Sequence, residues 1–367
     1  MGQSTDFFAE RLLQVIDEGR RTATYKLALL TALMDGCAAE SGPDGRAPET
    51  LHTRTVAQHA LRLYLPQVRS YLGPGGQDVV ELRQITTERS AVLGAVLRLH
   101  LLAEQQRASG LPAIARRLPE EYARCLDTVE LTFARYPLRL LQVIGGENRP
   151  FLYDLDWTES VSLAALHRPT GGLIHLRTGA GEHLLRLAPL LRPLIELHWT
   201  RMVARMNQIN LEDDRLRHHL FGAERSTFPR ALRAGLADLQ NNRCFYCDTT
   251  LSTRAEIDHV IPWSRWPNDA VENLVLADAC NNSKRDYLPA LGHVTTWTHR
   301  LVAHHHDLLD VASESRWESN PTRTVSLARA AYAHLPPGTP LWNRRDHFTE
   351  DDPALIIHRL ARYTGLD

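Results

Sequence analysis

Lysine is almost missing from this chain of 367 residues: Lys26 and Lys284 stand alone among 42 lysines and arginines, so nearly all positive charge is carried by guanidinium groups. The net charge of -1 excludes a surface coated uniformly in positive charge, and any binding of nucleic acid has to come from local clusters set against acidic surface elsewhere. Long apolar runs are missing as well. No stretch approaches the roughly 18 uninterrupted apolar residues that a membrane span requires, and the first thirty residues show no charged leader, apolar stretch and small-residue cleavage site in series. A cytoplasmic protein without membrane contact is the expectation. The five cysteines, Cys37, Cys125, Cys244, Cys247 and Cys280, are too few and too unevenly spread for a disulfide framework, which implies a reducing compartment.

What is present is the balance of a globular protein: 43% hydrophobic and 23% charged residues, over a length that suits two or three domains. Apolar residues recur at helical spacing in Phe7–Ile16 and Thr24–Met34, with Gly19 between them, and again in 55–64, 90–108, 120–136 and 138–143. The texture changes at Phe151–Trp157 and Gly172–Leu176, where short alternating runs predict a small β element. From Gly181 to Gln208 an apolar stripe returns, with Pro189 and Pro193 placed to kink or divide it. Helices are expected at 213–221 and 228–239, and beyond the central motif at 291–313, 322–335 and 353–363. Cys37 and Cys125 fall in or beside these helices and read as small buried hydrophobes.

The chemistry is concentrated in one stretch. Cys244-Phe245-Tyr246-Cys247 is followed by Glu256-Ile257-Asp258-His259-Val260-Ile261-Pro262, then Glu272-Asn273-Leu274-Val275-Leu276, then Cys280-Asn281-Asn282-Ser283-Lys284-Arg285-Asp286. Each piece is common by itself; their order and spacing together are not. The β-branched run 257–261 predicts a strand that Pro262 ends, Leu274–Leu276 supplies a second, and 280–288 predicts a short helix with Asn281 in its first turn. Two strands and a helix then gather a carboxylate, an imidazole and a carboxamide. Phosphodiester hydrolysis needs a cation to hold the phosphate and a base to deprotonate water. Asp and Asn oxygens suit Mg²⁺, or Mn²⁺ in its place, and His259 is the natural base.

Asp258-His259, Asn273 and Cys280-Asn281-x-x-Lys284 resemble the HNH, or ββα-metal, endonuclease family over about residues 244–286. The resemblance implies His259 as general base, Asp258 and Asn281 as metal ligands, Asn273 as the residue that orients the histidine loop, and Lys284 facing the substrate phosphate, with Arg285 beside it. The spacing from Asn273 is one residue short of that in many relatives, which makes Asn282 a rival of Asn281. Many relatives also carry a structural Zn²⁺ between two Cys-x-x-Cys pairs. Here Cys244, Cys247 and Cys280 are available, Ala277 stands where a fourth cysteine would, and Asp278 is an uncommon substitute.

Other features have ordinary explanations beside functional ones. His304, His305 and His306 are consecutive and cannot share one helix face; Trp263 and Trp266 either stack on bases or pack the loop, packing being the simpler role. Arg20, Arg21 and Lys26 read as a solvated helix end, while Arg265 either meets phosphate or solvates the surface. The expected architecture is mainly α: a large N-terminal helical region with a small β element (1–225) for recognition or regulation, an HNH module (226–300), and a C-terminal helical extension packed on it (301–367). The expected activity is metal-dependent cleavage of DNA, in restriction or phage defence by family habit, from a homodimer if both strands are cut. RNA cleavage and a non-catalytic nucleic-acid-binding module are the alternatives.

Overall fold

The computed structural model describes residues 5–17, 23–72, 78–79, 82–86, 90–108, 110–211, 214–222 and 228–363. They fall into two compact units, one drawn from 1–37, 48–108 and 114–222, the other from 38–47, 109–113 and 223–367. Gly19, Arg20, Arg21 and Asp213 lie outside the described residues.

The first unit is largely helical because its three-to-four-residue apolar spacing is what becomes buried. Helix Thr5–Asp17 buries Phe8, Leu12, Val15 and Ile16. Helix Pro119–Arg135 buries Cys125, Leu126, Val129, Phe133 and Ala134 along one stripe. Tyr25–Ala39, Thr53–Tyr64 and Ala91–Gln105 complete the nearby helices, the last started by Ser90, whose hydroxyl accepts from the Leu93 amide as N-cap residues do. Cys37 and Cys125 are both buried. The two prolines do not divide the stripe beyond residue 180: one helix, Ala180–Asn207, runs through both. Its packed face carries Leu184, Leu185, Ala188, Leu191, Ile195, Trp199 and Met202, whereas Pro193 is exposed and Pro189 half-buried, so the interrupted backbone bonds lie off that face.

The small β element is a three-stranded antiparallel sheet with Leu173–Leu176 between Thr50–His52 and Tyr153–Leu155. Its first strand is not visible in the sequence pattern, since three residues running straight into a helix show no alternation. Where helix Pro119–Arg135 meets the start of helix Thr53–Tyr64 sits a polar network centred on Glu130, which has no exposed surface. Its carboxylate accepts from Thr53 Oγ1 at 2.6 Å, Arg54 Nη1 at 2.9 Å and His167 Nε2 at 2.9 Å. Asp127, Glu130 and His167 have metal-ligand spacing, but the Arg54 guanidinium bonds both carboxylates and already supplies the positive charge.

In the second unit the paired strands Glu256–His259 and Leu274–Ala277 are joined by helices Arg230–Leu239, Leu291–Ala303, His305–Ser315, Pro321–Ala333 and Pro353–Ala361. The expected single helix 291–313 is two, broken at His304 (φ -118°, ψ 30°). Gly235 lets helix 230–239 approach helix 305–315, since a Cβ there would meet Val311 at 2.7 Å. The Gln240 side chain prolongs the sheet: it accepts from the Leu276 amide at 2.8 Å and donates to the Leu276 carbonyl at 2.9 Å. A second hairpin, Leu341–Arg344 with His347–Thr349, follows the Pro/Gly turn; the sequence hides it because its strands are short and mostly polar.

Removing the Glu130 carboxylate would strand three donors around it. Because Arg54 keeps Asp127 and its side chain is 28% exposed, the penalty is placed below that of a fully buried pair. Glu130→Ala is expected to lower the free energy of unfolding by about 2 kcal/mol, read as a lower urea midpoint; an unchanged midpoint would refute a stabilising role for the network.

Candidate functional site

Strand pairing sets the site. Register places Asp258 opposite Val275 and His259 opposite Leu274, and the Val260 amide extends the ladder to the Asn273 carbonyl at 2.8 Å. Successive residues of a strand point to opposite faces, so Asp258 and His259 diverge, and what lies beyond Pro262 has to bring a second wall to them. Asn273 does this. With no exposed surface, its carboxamide accepts from the Ile261 amide at 2.8 Å and donates to the carbonyls of Ile261 at 3.0 Å and Asn268 at 2.9 Å. Three bonds from one buried side chain fix both ends of the loop 261–268.

That loop leads into a residue whose importance the sequence pattern does not mark. Asp269 Oδ1 lies 2.6 Å from His259 Nε2, and the Asp269 carbonyl accepts from Trp317 Nε1 at 2.6 Å. With the carboxylate accepting, the ring donates through Nε2 and leaves Nδ1 as an acceptor without a partner among the described residues. His259 is 8% exposed, walled by Phe228 and Trp263 at 6.2 and 5.6 Å between centroids. Trp266 is buried and packs the loop. The only signal for Asp269 is a carboxylate next to a loop that Asn273 ties back to the strand.

Asp258 is held from one side. Its Oδ2 accepts from the Tyr246 hydroxyl at 2.6 Å and pairs with Lys284 Nζ at 3.0 Å, while Oδ1 has no partner among the described residues. Lys284, expected to face substrate phosphate, is instead 1% exposed; its ammonium also donates to the His259 carbonyl at 2.5 Å and lies over the Tyr246 ring. Burial pulls its pKa below the ordinary lysine value, and the Asp258 carboxylate opposes that. The physical reason for its position is the compensation of its buried charge by the half-buried Asp258 carboxylate. Arg285 is exposed and Arg265 half-buried.

The chain after the second strand forms no α-helix over 280–288. A 3-10 turn, Ala279–Asn281, is followed by turns, and Arg285 takes a left-handed conformation (φ 42°), which an α-helix cannot contain. Asn281 is half-buried and Asn282 exposed. Neither side-chain amide has a hydrogen-bond partner among the described residues, so both remain open to a ligand.

The three cysteines converge. Their sulfurs lie within 4.8 Å of one another, with Cys244 and Cys280 at 3.4 Å. Asp278 does not join them: its oxygens accept from the Ser252 amide and hydroxyl and from the Ala279 amide. Burial pushes the Cys280 thiol up. Desolvation also opposes ionisation of Cys247, but hydrogen bonds from Thr249 and the neighbouring cysteines outweigh it and hold that thiol below its ordinary value. A thiol cluster of this kind can hold a soft or borderline divalent ion, with room for a fourth ligand from outside.

A model of the HNH endonuclease family matches residues 244–290, so this stretch is an HNH family region and the second unit carries a nuclease-type domain. A model of a domain of unknown function (DUF8808) matches residues 6–220. No curated protein and no solved structure matches the chain.

The Asn273 carboxamide faces two carbonyls with its NH₂ group. Asn273→Asp would turn a carboxylate oxygen toward both, so it is expected to destabilise the second unit by more than Asn273→Ala, each by about 2 kcal/mol or more. Thermal melts of the two variants rank them, and an aspartate variant as stable as wild type would contradict the hydrogen-bond assignment.

Proposed function

Because the chain belongs to the DUF8808 family, by a match over more than half its length, and carries an HNH region after it, we propose that it is a metal-dependent endonuclease hydrolysing phosphodiester bonds in DNA. The observation that supports this most is the pairing of a histidine whose Nδ1 and an aspartate whose Oδ1 have no partner among the described residues, in adjacent positions on one strand.

Asp258 Oδ1 and the Asn281 amide oxygen are a donor set suited to Mg²⁺ or Mn²⁺, hard ions that take oxygen ligands and keep several waters. When bound there, the ion supplies charge neutralisation at the phosphate and the leaving oxygen. Asn281 is preferred to Asn282 because it is the more enclosed and directly follows Cys280. His259 takes the proton from the attacking water at Nδ1, and Asp269 holds the imidazole in the tautomer that allows it and stabilises the cation formed. Lys284 and Tyr246 occupy Asp258 Oδ2 and so direct its other oxygen outward. Arg285, which is exposed, is assigned to phosphate contact.

The cysteine cluster is assigned a structural Zn²⁺ held by Cys244, Cys247 and Cys280. Its role is to brace the turn that carries Asn281. The helical N-terminal unit is assigned target recognition or regulation, in restriction or phage defence, and double-strand cleavage would use two copies of the chain. No helix among the described residues is long and apolar enough to cross a membrane. RNA presents the same phosphodiester to the site, so both polymers belong in the assay.

Incubation of plasmid DNA and of a structured RNA with Mg²⁺, Mn²⁺ or EDTA is expected to give metal-dependent cleavage of the plasmid. Cleavage falls by about a hundredfold or more in His259→Ala, as for loss of a general base, and to background in Asp258→Ala. RNA cut in preference to DNA would change the substrate, and loss of neither activity in His259→Ala would refute the base. Elemental analysis of the purified chain is expected to find zinc that is lost in Cys280→Ser; equal zinc in both would overturn the cysteine assignment.

A further inference from the structure

The hairpin Leu341–Arg344/His347–Thr349 lies more than fifty residues beyond the motif in sequence, yet it is bonded to it at several points. Trp342 Nε1 and the Asp346 amide both donate to Ser283 Oγ, at 3.0 and 2.9 Å. The Trp342 amide donates to the Leu288 carbonyl and the Ala290 amide to the Trp342 carbonyl, both at 2.8 Å. The His293 ring stacks on Trp342 at 5.1 Å with 19° between planes. Ser283 stands two residues after Asn281, in the loop that also carries Lys284. A two-stranded ribbon is marginal alone; this one is fixed by Trp342, which is 1% exposed.

The hairpin is not covered throughout. Phe348, directly across from Trp342 in register, is 36% exposed, and it packs against Tyr287, 38% exposed, with ring centroids 4.6 Å apart and planes at 56°. Beside this aromatic pair the hairpin turn presents Arg344 and Arg345. Arg345 is 76% exposed and only loosely paired with Asp346, at 3.8 Å. Arg344 and Arg285 are exposed with no partner among the described residues. The neighbouring acid Asp286 is engaged by the Ser264 hydroxyl at 2.5 Å. Partly exposed rings next to exposed guanidinium groups suit a strand with unstacked bases: stacking is tolerant of sequence, and arginine neutralises the backbone. A duplex, whose bases are already stacked, would leave the rings unused.

We propose that the C-terminal hairpin and Tyr287 form a binding surface for a single-stranded segment of the polynucleotide substrate, with Phe348 and Tyr287 stacking a base and Arg285, Arg344 and Arg345 meeting its phosphates. The ligand class rests on the nuclease reading above; the surface itself does not depend on the metal site.

Fluorescence anisotropy of the full chain with labelled oligothymidylate and oligouridylate, in EDTA so that nothing is cut, tests it. Wild type and His259→Ala are expected to bind alike. Arg344→Gln combined with Arg345→Gln should weaken binding about tenfold and lower the log–log salt slope by about 0.7 for each phosphate no longer neutralised. Phe348→Leu keeps an apolar side chain over the hairpin and should weaken binding at least about fivefold, with Phe348→Trp restoring it. Circular dichroism of each variant establishes that it is folded. Hairpin variants that are folded and bind both oligomers as tightly as wild type overturn the surface, while plasmid cleavage by the same preparations keeps the nuclease reading. Wild type that binds neither oligomer also overturns the surface, and the cleavage assay then decides the nuclease reading separately.

Discussion

A single buried carboxamide holds the chemistry of the second unit in place. Asn273 reaches back across the strand pair to both backbone groups of Ile261 and forward to the carbonyl of Asn268. Those bonds, together with the Trp317 bond to the Asp269 carbonyl, return the loop after Pro262 to His259, where Asp269 sits against Nε2. Buried carboxamides are expensive unless every group is satisfied. Here both the acceptor and the donor end are used, and the same residue ends the 3-10 turn Val271–Asn273 that feeds the second strand. One side chain therefore sets the loop, the strand register and the imidazole's partner together.

Around it the C-terminal helices act as a clamp on the motif. Trp297 Nε1 donates to the Glu272 carbonyl at 2.7 Å, Ser319 and the Asn320 amide bond the Glu272 carboxylate, and Tyr332 donates to the Pro289 carbonyl at 2.6 Å. Asn268 bonds Thr324 and Arg323. Burial raises the Glu272 pKa while its bonds to Ser319 and Asn320 oppose that, as expected of a carboxylate that fastens backbone together inside a core. These bonds come from residues far along the chain. The motif is therefore held in place largely by chain outside it.

The strands, the order of Asp258, His259, Asn273 and Asn281, and most helices were legible because each is written locally: a β-branched run ended by Pro262, an apolar run at 274–276, and apolar residues three and four apart. Whatever depended on partners far along the chain was not. Asp269 carries no spacing signal, and the hairpin at 341–349 is too short and polar to alternate. The turn at 280–288 reads as a helix by composition, but Arg285 in a left-handed conformation ends that possibility. Pro189 and Pro193 suggested a break, yet the long buried stripe of the helix that contains them outweighs two missing hydrogen bonds. Lys284 was legible as a residue of interest and not as a buried one, because burial of a lysine follows from a carboxylate placed across from it by the fold.

The scarcity of lysine gives that last residue its meaning. Every basic side chain but two is arginine, and arginine is the better choice for a planar, two-pronged contact with phosphate at a surface. At position 284 the cation has to fit into a space that is 1% exposed, against one oxygen of Asp258, the carbonyl of His259 and the face of Tyr246. An ammonium is compact, donates in three directions and can satisfy acceptors that do not lie in one plane. A guanidinium is larger and flat, and would leave donors unpaired in the same space. The one-sided hold on Asp258, which leaves Oδ1 without a partner among the described residues, therefore favours lysine in a chain that uses arginine nearly everywhere else.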